Sequence, residues 1–212
     1  MSSGKLAAAW AVAAGIAAGQ APLPMLRIEA VTGGSVFYIK NTHTQPATAY
    51  LIELVDYPGS SFWMWADISE GEMIPAGEEV RKPISNMTVG AVPDYVKMQA
   101  ALFADGSTAG APEKVAQLVE RRRAILECLR ELIRRFDGAQ SKEALTAGLK
   151  QWFEGLPTIP RGEGRSQKAI NQAAIKGVIS KTAARLGTTP SSTVLTELRL
   201  TERALAASKP AL

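Results

Sequence analysis

The densest aromatic group of the chain has the composition of a flat surface that binds a ligand. Tyr57, Phe62, Trp63 and Trp65 follow one another closely. Successive side chains of a strand point to opposite faces, so Trp63 and Trp65 share one face while Phe62 and Met64 share the other. If the tryptophans are exposed, they form a flat surface for a sugar ring or for the apolar surface of a partner. The alternative is that one face fills a β-sheet core and the other lies under a helix.

Three carboxylates, Asp67, Glu70 and Glu72, come directly after the tryptophans. A pair of carboxylates in one cleft can hydrolyse a glycosidic bond, and clustered oxygens can hold a hard cation such as Ca²⁺. The spacing matches no calcium-binding loop, and acidic residues in a turn between strands are most often solvated. A carboxylate-dependent hydrolase of glycans or cell-wall material is therefore an alternative function for the chain.

Basic residues are concentrated in the C-terminal half. Residues 113–212 carry 18 basic and 10 acidic side chains, whereas residues 20–112 carry 5 and 10. A surface formed by Arg165, Lys168, Lys176 and Lys181 would attract an anionic polymer, which is a second alternative function. No aromatic residue accompanies these charges, which argues against stacking on single-stranded nucleic acid.

Six arginines lie on a long predicted helix, namely Arg121, Arg122, Arg123, Arg130, Arg134 and Arg135. Glutamates three or four positions away, at Glu127 and Glu131, are spaced for ion pairs along a helix. We therefore expect these arginines to form a salt-bridged, solvated face.

Metal and nucleophile chemistry finds no support in the sequence. His43 is the only histidine and Cys128 the only cysteine, which excludes a zinc site of the usual ligand spacing and an intramolecular disulfide. His43 falls in a predicted turn with no nucleophile motif nearby, so we expect a solvated loop residue. Cys128 fits the apolar pattern of a helix, so we expect a buried thiol. We expect no cofactor and no metal, and we favour a protein that is not an enzyme.

Residues 25–110 show the alternating and β-branched patterns of short strands separated by turns. Strands are predicted at Leu26–Ala30, Val36–Lys40, Ala47–Asp56, Phe62–Ile68, Glu79–Ile84 and Tyr95–Ala104. Six or seven strands without helices between them favour an antiparallel immunoglobulin-like β-sandwich. With the helices that follow, the predicted fold class is α+β.

Residues 112–155 predict a long helix from Pro112 to Gly138 and a second from Ser141 to Gly155. Residues 156–165 are rich in proline and glycine and are interpreted as a linker. Residues 166–208 form a basic helical segment, in which Ser166 caps one helix and Thr189-Pro190 begins another.

The N-terminus predicts export. Lys5 precedes an uninterrupted apolar stretch from Leu6 to Gly19 that is too short to span a membrane, so residues 1–19 are interpreted as a cleavable signal peptide. The alternative is an alanine-rich helix that buries Trp10 and Ile16. Cleavage predicts a periplasmic or extracellular protein that touches the membrane only during export, and no nucleic-acid partner is expected.

The stretch from Val36 to Asn41, followed by Pro46 and Thr48-Ala49-Tyr50, resembles the early strand pair of small exported bacterial domains with an immunoglobulin-like sandwich. The segment Leu102–Thr108, which runs into an arginine-rich helix, is similar to uncharacterised exported bacterial proteins that join such a sandwich to a helical tail. The resemblance covers about 100 residues. It implies the fold and an exported setting, and no activity.

Together these patterns favour an exported, non-catalytic interaction or structural module of the bacterial cell envelope. Its partner would be an unknown protein or an envelope polymer. Trp63, Trp65 and Tyr57 are the candidate binding residues on the β-domain, and Arg165, Lys168, Lys176 and Lys181 are those on the helices.

Overall fold

A computed structural model describes residues 21–56, 62–85, 93–160 and 166–211. The predicted signal peptide, residues 1–19, lies outside the described residues. No helix in the described part of the chain is both long enough and apolar enough to cross a membrane.

The described residues of the N-terminal half form two antiparallel sheets. The first has the order β1-β2-β5 and the second the order β4-β3-β6-β7. The strands are β1 Met25–Val31, β2 Gly34–Lys40, β3 Ala47–Leu54, β4 Trp63–Asp67, β5 Glu79–Ser85, β6 Val96–Phe103 and β7 Thr108–Gly110. The predicted strands agree with β1 to β6 apart from their ends, and β7 is a short addition. The predicted α+β class, with the helices C-terminal to the sheets, is confirmed.

The sheets face each other across an apolar core because inward-pointing residues alternate along each strand. Phe37 and Ile39 of β2 are fully buried against Tyr50 and Ile52 of β3 and Phe103 of β6. Phe62 and Met64 pack against the edge of this core. One of the two faces predicted for the aromatic segment therefore points between the sheets.

In the described part of the chain, four helices follow the strands, as the helical periodicity predicts. They are α1 Pro112–Gly138, α2 Lys142–Gly155, α3 Gln167–Thr188 and α4 Ser191–Ala206. Proline occupies the first turn of α1, where its missing N–H costs nothing. The predicted cap of α3 is confirmed, since the Ser166 side chain accepts a hydrogen bond from the backbone N–H of Ala169.

Helix α1 connects the two halves of the molecule. Leu118, in its first turns, packs on the outer face of the second sheet against Leu51 of β3 and Leu102 of β6. Its later turns, including Ile125 and Leu132, form a separate apolar core with α2, α3 and α4. At about 1.5 Å per residue the helix is long enough to serve both cores. Its length, which exceeds what a small sandwich needs, is thereby explained.

Candidate functional site

A buried ion pair fixes α1 to the sheet. The Nε atom of Arg122 donates to a carboxylate oxygen of Asp67, at the end of β4, over 2.7 Å. Arg122 is 0% exposed and Asp67 1% exposed. A charged pair removed from water in this way needs further hydrogen bonds to be tolerated.

Arg122 obtains these bonds from two other elements. One terminal nitrogen donates to the backbone oxygen of Thr48 over 3.0 Å and to its hydroxyl over 3.1 Å. The other donates to the backbone oxygen of Lys209 over 3.2 Å, in the segment that follows α4. One guanidinium therefore holds β3, β4, α1 and the C-terminal segment together.

Arg121 makes a neighbouring contact. It pairs with Glu70, in the short 3-10 helix Ile68–Glu70, over 2.6 Å, and its guanidinium lies 5.7 Å from the centre of the Trp65 ring. The expectation of a solvated arginine face is therefore wrong for Arg121 and Arg122, which are buried because α1 turns this face towards the sheet. It is confirmed for Arg134, which is exposed and pairs with Glu131. Arg135 also pairs with Glu131, but it is half-buried and its guanidinium lies 4.6 Å from the centre of the Trp152 ring.

The tryptophans lie on the outer face of the second sheet, beside α1. Trp65 is half-buried and packs with Val115 and Val119 of α1. Trp63, nearer the end of β4, keeps 36% of its surface exposed. Helix α1 thus covers part of the predicted aromatic face, and part of the Trp63 surface stays exposed. Tyr57 lies outside the described residues.

A cleft of about 200 Å³ opens where β3, β4, α1 and α3 meet, and we call it the tryptophan cleft. Both tryptophans line it. Its other lining residues are Glu53, Leu54, Val55, Asp56, Phe62, Lys114, Gln117 and Ile170. The cleft therefore combines aromatic rings with acidic, basic and amide groups.

The polar groups of the cleft come from different elements. Glu53 of β3 and Lys114 of α1 form an ion pair over 2.6 Å. The side-chain oxygen of Gln117 is buried and has no hydrogen-bond partner among the described residues. A buried acceptor without a partner is costly, and Gln117 is one of the residues that line the tryptophan cleft.

Each carboxylate of the acidic group contacts a cation. Asp67 pairs with Arg122, Glu70 with Arg121, and Glu72 with Lys82. Asp67 is buried rather than solvated, contrary to expectation, because the end of β4 is covered by α1. Among the described residues no three histidine, cysteine or acidic side chains are placed to hold a metal ion. The hydrolase alternative gains no support from this arrangement.

The predicted basic residues face different surroundings. Lys168 is exposed near the start of α3, and the ammonium group of Lys176 lies 5.7 Å from the centre of the Phe153 ring of α2. Lys181 lines a cavity on another side of the same helix. Arg165 lies outside the described residues. The three described lysines are not brought together at one place.

That cavity, which we call the helical cavity, has a volume of about 290 Å³. Its floor is apolar and consists of Ile125, Leu129, Val178, Val194 and Leu198. The polar groups that line it are Ser69, Glu70, Lys181, Thr182, Arg185, Glu197 and Thr201. It lies between α1, α3, α4 and the 3-10 helix, away from the residues of the tryptophan cleft.

His43 and Cys128 occupy structural positions. The ring of His43 stacks on Phe103 with centroids 4.2 Å apart, and its Nδ1 accepts from the backbone N–H of Gln45. His43 is therefore part of the turn rather than a freely solvated side chain. Cys128 is buried as expected, and burial raises the pKa of its thiol to about 12.

The residues that sequence reasoning missed are Glu53, Lys114 and Gln117. Each was unremarkable in the sequence, because a strand residue and two helix residues gave no sign of sharing a cleft. A partial signal was the lone Lys114 in the first turn of a helix after an acidic half.

No protein-family model, no curated protein and no solved structure matches this chain.

Proposed function

We propose that the protein is an exported, non-catalytic binding module of the bacterial cell envelope, and that the tryptophan cleft receives one ring of an envelope glycan. The single observation that carries this proposal is that Trp63, Trp65 and Gln117 line one cleft, and that the Gln117 side-chain oxygen has no hydrogen-bond partner among the described residues. Each of these groups has a counterpart in the chemistry of a saccharide.

The tryptophans supply the apolar contact. A pyranose ring presents C–H groups on its faces, and a large aromatic ring is a flat partner for them. Trp63 keeps 36% of its surface exposed, and this exposed part is the area for such a contact, whereas Trp65 is held from behind by Arg121 and α1. A fixed ring loses little conformational freedom when a ligand arrives.

The polar groups of the cleft orient the sugar through hydrogen bonds. Sugar hydroxyls both donate and accept, so they match the Gln117 acceptor and the paired Glu53 and Lys114. A sugar hydroxyl that donates a hydrogen bond to the Gln117 oxygen would satisfy an acceptor that is buried and has no partner among the described residues. An apolar side chain of a protein partner would leave that oxygen unsatisfied, which favours the glycan.

The size of the cleft favours part of a polymer over a whole small molecule. Sites for drug-sized ligands usually have about 300–1,000 Å³. The tryptophan cleft has about 200 Å³. It suits a single ring whose neighbours in the chain lie across the surface.

The walls of the cleft are held in place before a ligand binds. Lys114 and Gln117 belong to α1, which Arg122 anchors to Asp67 of β4. Because β4 also carries Trp63 and Trp65, the same ion pair sets the distance between the aromatic and polar walls. Preorganisation of this kind lowers the cost of binding.

The proposal includes an immunoglobulin-like sandwich and export. If the strands are lettered in chain order with β4 as C′, the two sheets read A-B-E and C′-C-F-G. Immunoglobulin-like domains also place C, F and G in one sheet and A, B and E in the other. Support for export comes from residues 1–19 and from the resemblance of Val36–Tyr50 and Leu102–Thr108 to exported bacterial domains.

Isothermal titration calorimetry with a soluble tetramer of N-acetylglucosamine and with soluble peptidoglycan strands tests the function. The chain without residues 1–19 is expected to bind at least one of these glycans, and Trp63→Ala is expected to weaken binding at least tenfold. The matched control is Trp152→Phe, on α2 and outside the cleft.

A second variant, Gln117→Leu, keeps the size of the side chain and removes its acceptor. It is expected to weaken glycan binding without lowering stability, because the oxygen it removes is buried and unpartnered among the described residues. Absence of binding to both glycans, or equal binding by wild type and Trp63→Ala, would overturn the proposal.

A further inference from the structure

We propose that the helical cavity is a second binding site, distinct from the tryptophan cleft, and that it takes an anionic amphiphile: an alkyl chain with a carboxylate or phosphate head. The cavity has about 290 Å³, close to the lower end of the usual size of small-molecule sites. The cavity opens to the surface, since Lys181, Arg185 and Glu197 in its lining are exposed.

The floor of the cavity selects an alkyl chain. Ile125 and Leu129 of α1, Val194 and Leu198 of α4 and Val178 of α3 present only aliphatic groups. None of the described residues that line the cavity is aromatic, so they offer no stacking partner for a sugar or a base. Flexible aliphatic walls match a flexible aliphatic chain.

The polar residues favour a negative head. Arg185 and Glu197 pair with each other over 2.5 Å, and Glu70 pairs with Arg121, so these charges are balanced within the protein. Lys181 has no ion pair among the described residues. One unbalanced positive charge therefore lies beside the apolar floor.

Ser69 adds a hydrogen-bond donor. Its hydroxyl oxygen is buried and has no partner among the described residues, and the residue lines the cavity. The other two hydroxyls of the cavity are already used, because Thr182 donates to the backbone oxygen of Val178 and Thr201 to that of Glu197. A hydroxyl and an ammonium group are both hydrogen-bond donors to a carboxylate or phosphate oxygen, and Ser69 and Lys181 both line the cavity.

Gly177 lines the cavity in the middle of α3, and a side chain at this position would meet no atom within 4 Å. Gly177 is exposed, so it offers a way to place a larger side chain at the mouth of the cavity without straining the helix. Gly148 of α2 is the matched control, since it is also interior to a helix, also has nothing within 4 Å, and does not line this cavity.

Calorimetric titration of the full chain with decanoate and with decyltrimethylammonium, both below their micelle concentrations, tests the site. These probes share a chain length and differ in head charge. Decanoate is expected to bind at least tenfold more tightly than decyltrimethylammonium. Lys181→Gln is expected to reduce that preference at least fivefold. Gly177→Leu is expected to weaken the binding of both probes at least tenfold.

Gly148→Leu and Trp63→Ala are expected to bind decanoate like the wild type, and the second of these separates this site from the glycan site. Equal binding of the two probes, or wild-type decanoate binding by Gly177→Leu, overturns the proposal. Lys181 is exposed, so Lys181→Gln is expected to fold. This variant therefore still tests the site if Gly177→Leu does not fold. If the protein floats with phosphatidylglycerol vesicles and this depends on Lys181, the ligand is a membrane lipid. If decanoate binds but the protein does not float with the vesicles, the ligand is a free acid.

Discussion

Arg122 and Asp67 form a fully buried ion pair with 2.7 Å between the Nε and carboxylate oxygen atoms, although 55 positions separate them in the chain. The pair joins the middle of α1 to the end of β4. It therefore makes the helix a fixed wall of the tryptophan cleft. The negative strand-rich half and the positive helical half meet through this contact.

Breaking the pair from one side is expected to destabilise the protein strongly. Asp67→Asn or Arg122→Met leaves a buried partner without its counter-charge, which typically costs about 3–5 kcal/mol. Urea unfolding followed by circular dichroism measures the loss. Arg123→Ala is the matched control, because Arg123 pairs with Glu120 at the surface and is expected to change stability by no more than about 1 kcal/mol. Equal effects of Arg122→Met and Arg123→Ala would show that the buried pair has no special role.

Tyr50→Phe is expected to stabilise the protein at neutral pH. The Tyr50 hydroxyl is buried between the sheets with no hydrogen-bond partner among the described residues. Removing an unsatisfied buried polar group typically recovers about 1 kcal/mol. Tyr38→Phe is the control, since Tyr38 hydrogen-bonds to Glu29 and its loss brings no gain. A fall in the unfolding free energy of Tyr50→Phe would contradict the buried, unpartnered hydroxyl.

Alkaline pH is expected to destabilise the native state through Cys128. Burial raises the pKa of its thiol from 9.0 to about 12, so the native state holds the proton more tightly than the unfolded state. This contribution is complete below pH 9 and is lost as the pH rises towards 12. At about 1.4 kcal/mol per pKa unit, roughly 1.4 kcal/mol is lost between pH 7 and pH 10.

Unfolding free energies at pH 7 and pH 10 measure this effect, and Cys128→Ala is expected to show a smaller difference between the two. Burial also raises the pKa of Tyr50, which adds a loss of the same sign from about pH 10 upwards. An unchanged pH difference in Cys128→Ala would contradict a buried, protonated thiol.

Gly110→Ala is expected to disturb the connection between β7 and α1. Gly110 has a φ of 100°, and a Cβ atom there would lie 2.0 Å from the backbone oxygen of Gln99. Gly71 has a φ of 80° with nothing within 4 Å, so Gly71→Ala shows the cost of the conformation alone, about 1–2 kcal/mol. Thermal unfolding should show a clearly larger loss for Gly110→Ala, and similar losses would mean that the close approach relaxes freely.

Local patterns predicted the elements well. The α1 boundaries at Pro112 and Gly138 follow from a first-turn proline and a terminal glycine, and Ser166 was recognisable as a cap. These signals involve neighbours within one turn, so they are readable without the fold. Burial of Cys128 followed in the same way from helical periodicity.

The candidate site was less accessible, because it depends on contacts between distant segments. Helical spacing suggested surface ion pairs for all of the α1 arginines, and only the docking of α1 on β3 and β4 turned Arg121 and Arg122 inward. Trp63 and Trp65 were found from their types and spacing. Their partners Lys114 and Gln117 required the position of α1 on the sheet.

The most direct test of glycan binding in the tryptophan cleft is a nitrogen-15 correlation spectrum of the chain without residues 1–19, recorded during titration with the N-acetylglucosamine tetramer or soluble peptidoglycan strands. The indole N–H signals of Trp63 and Trp65 are expected to shift progressively with ligand, while the signal of Trp152 on α2 stays in place. Indole signals of Trp63 and Trp65 that stay unchanged at saturating concentrations of both glycans would contradict the account.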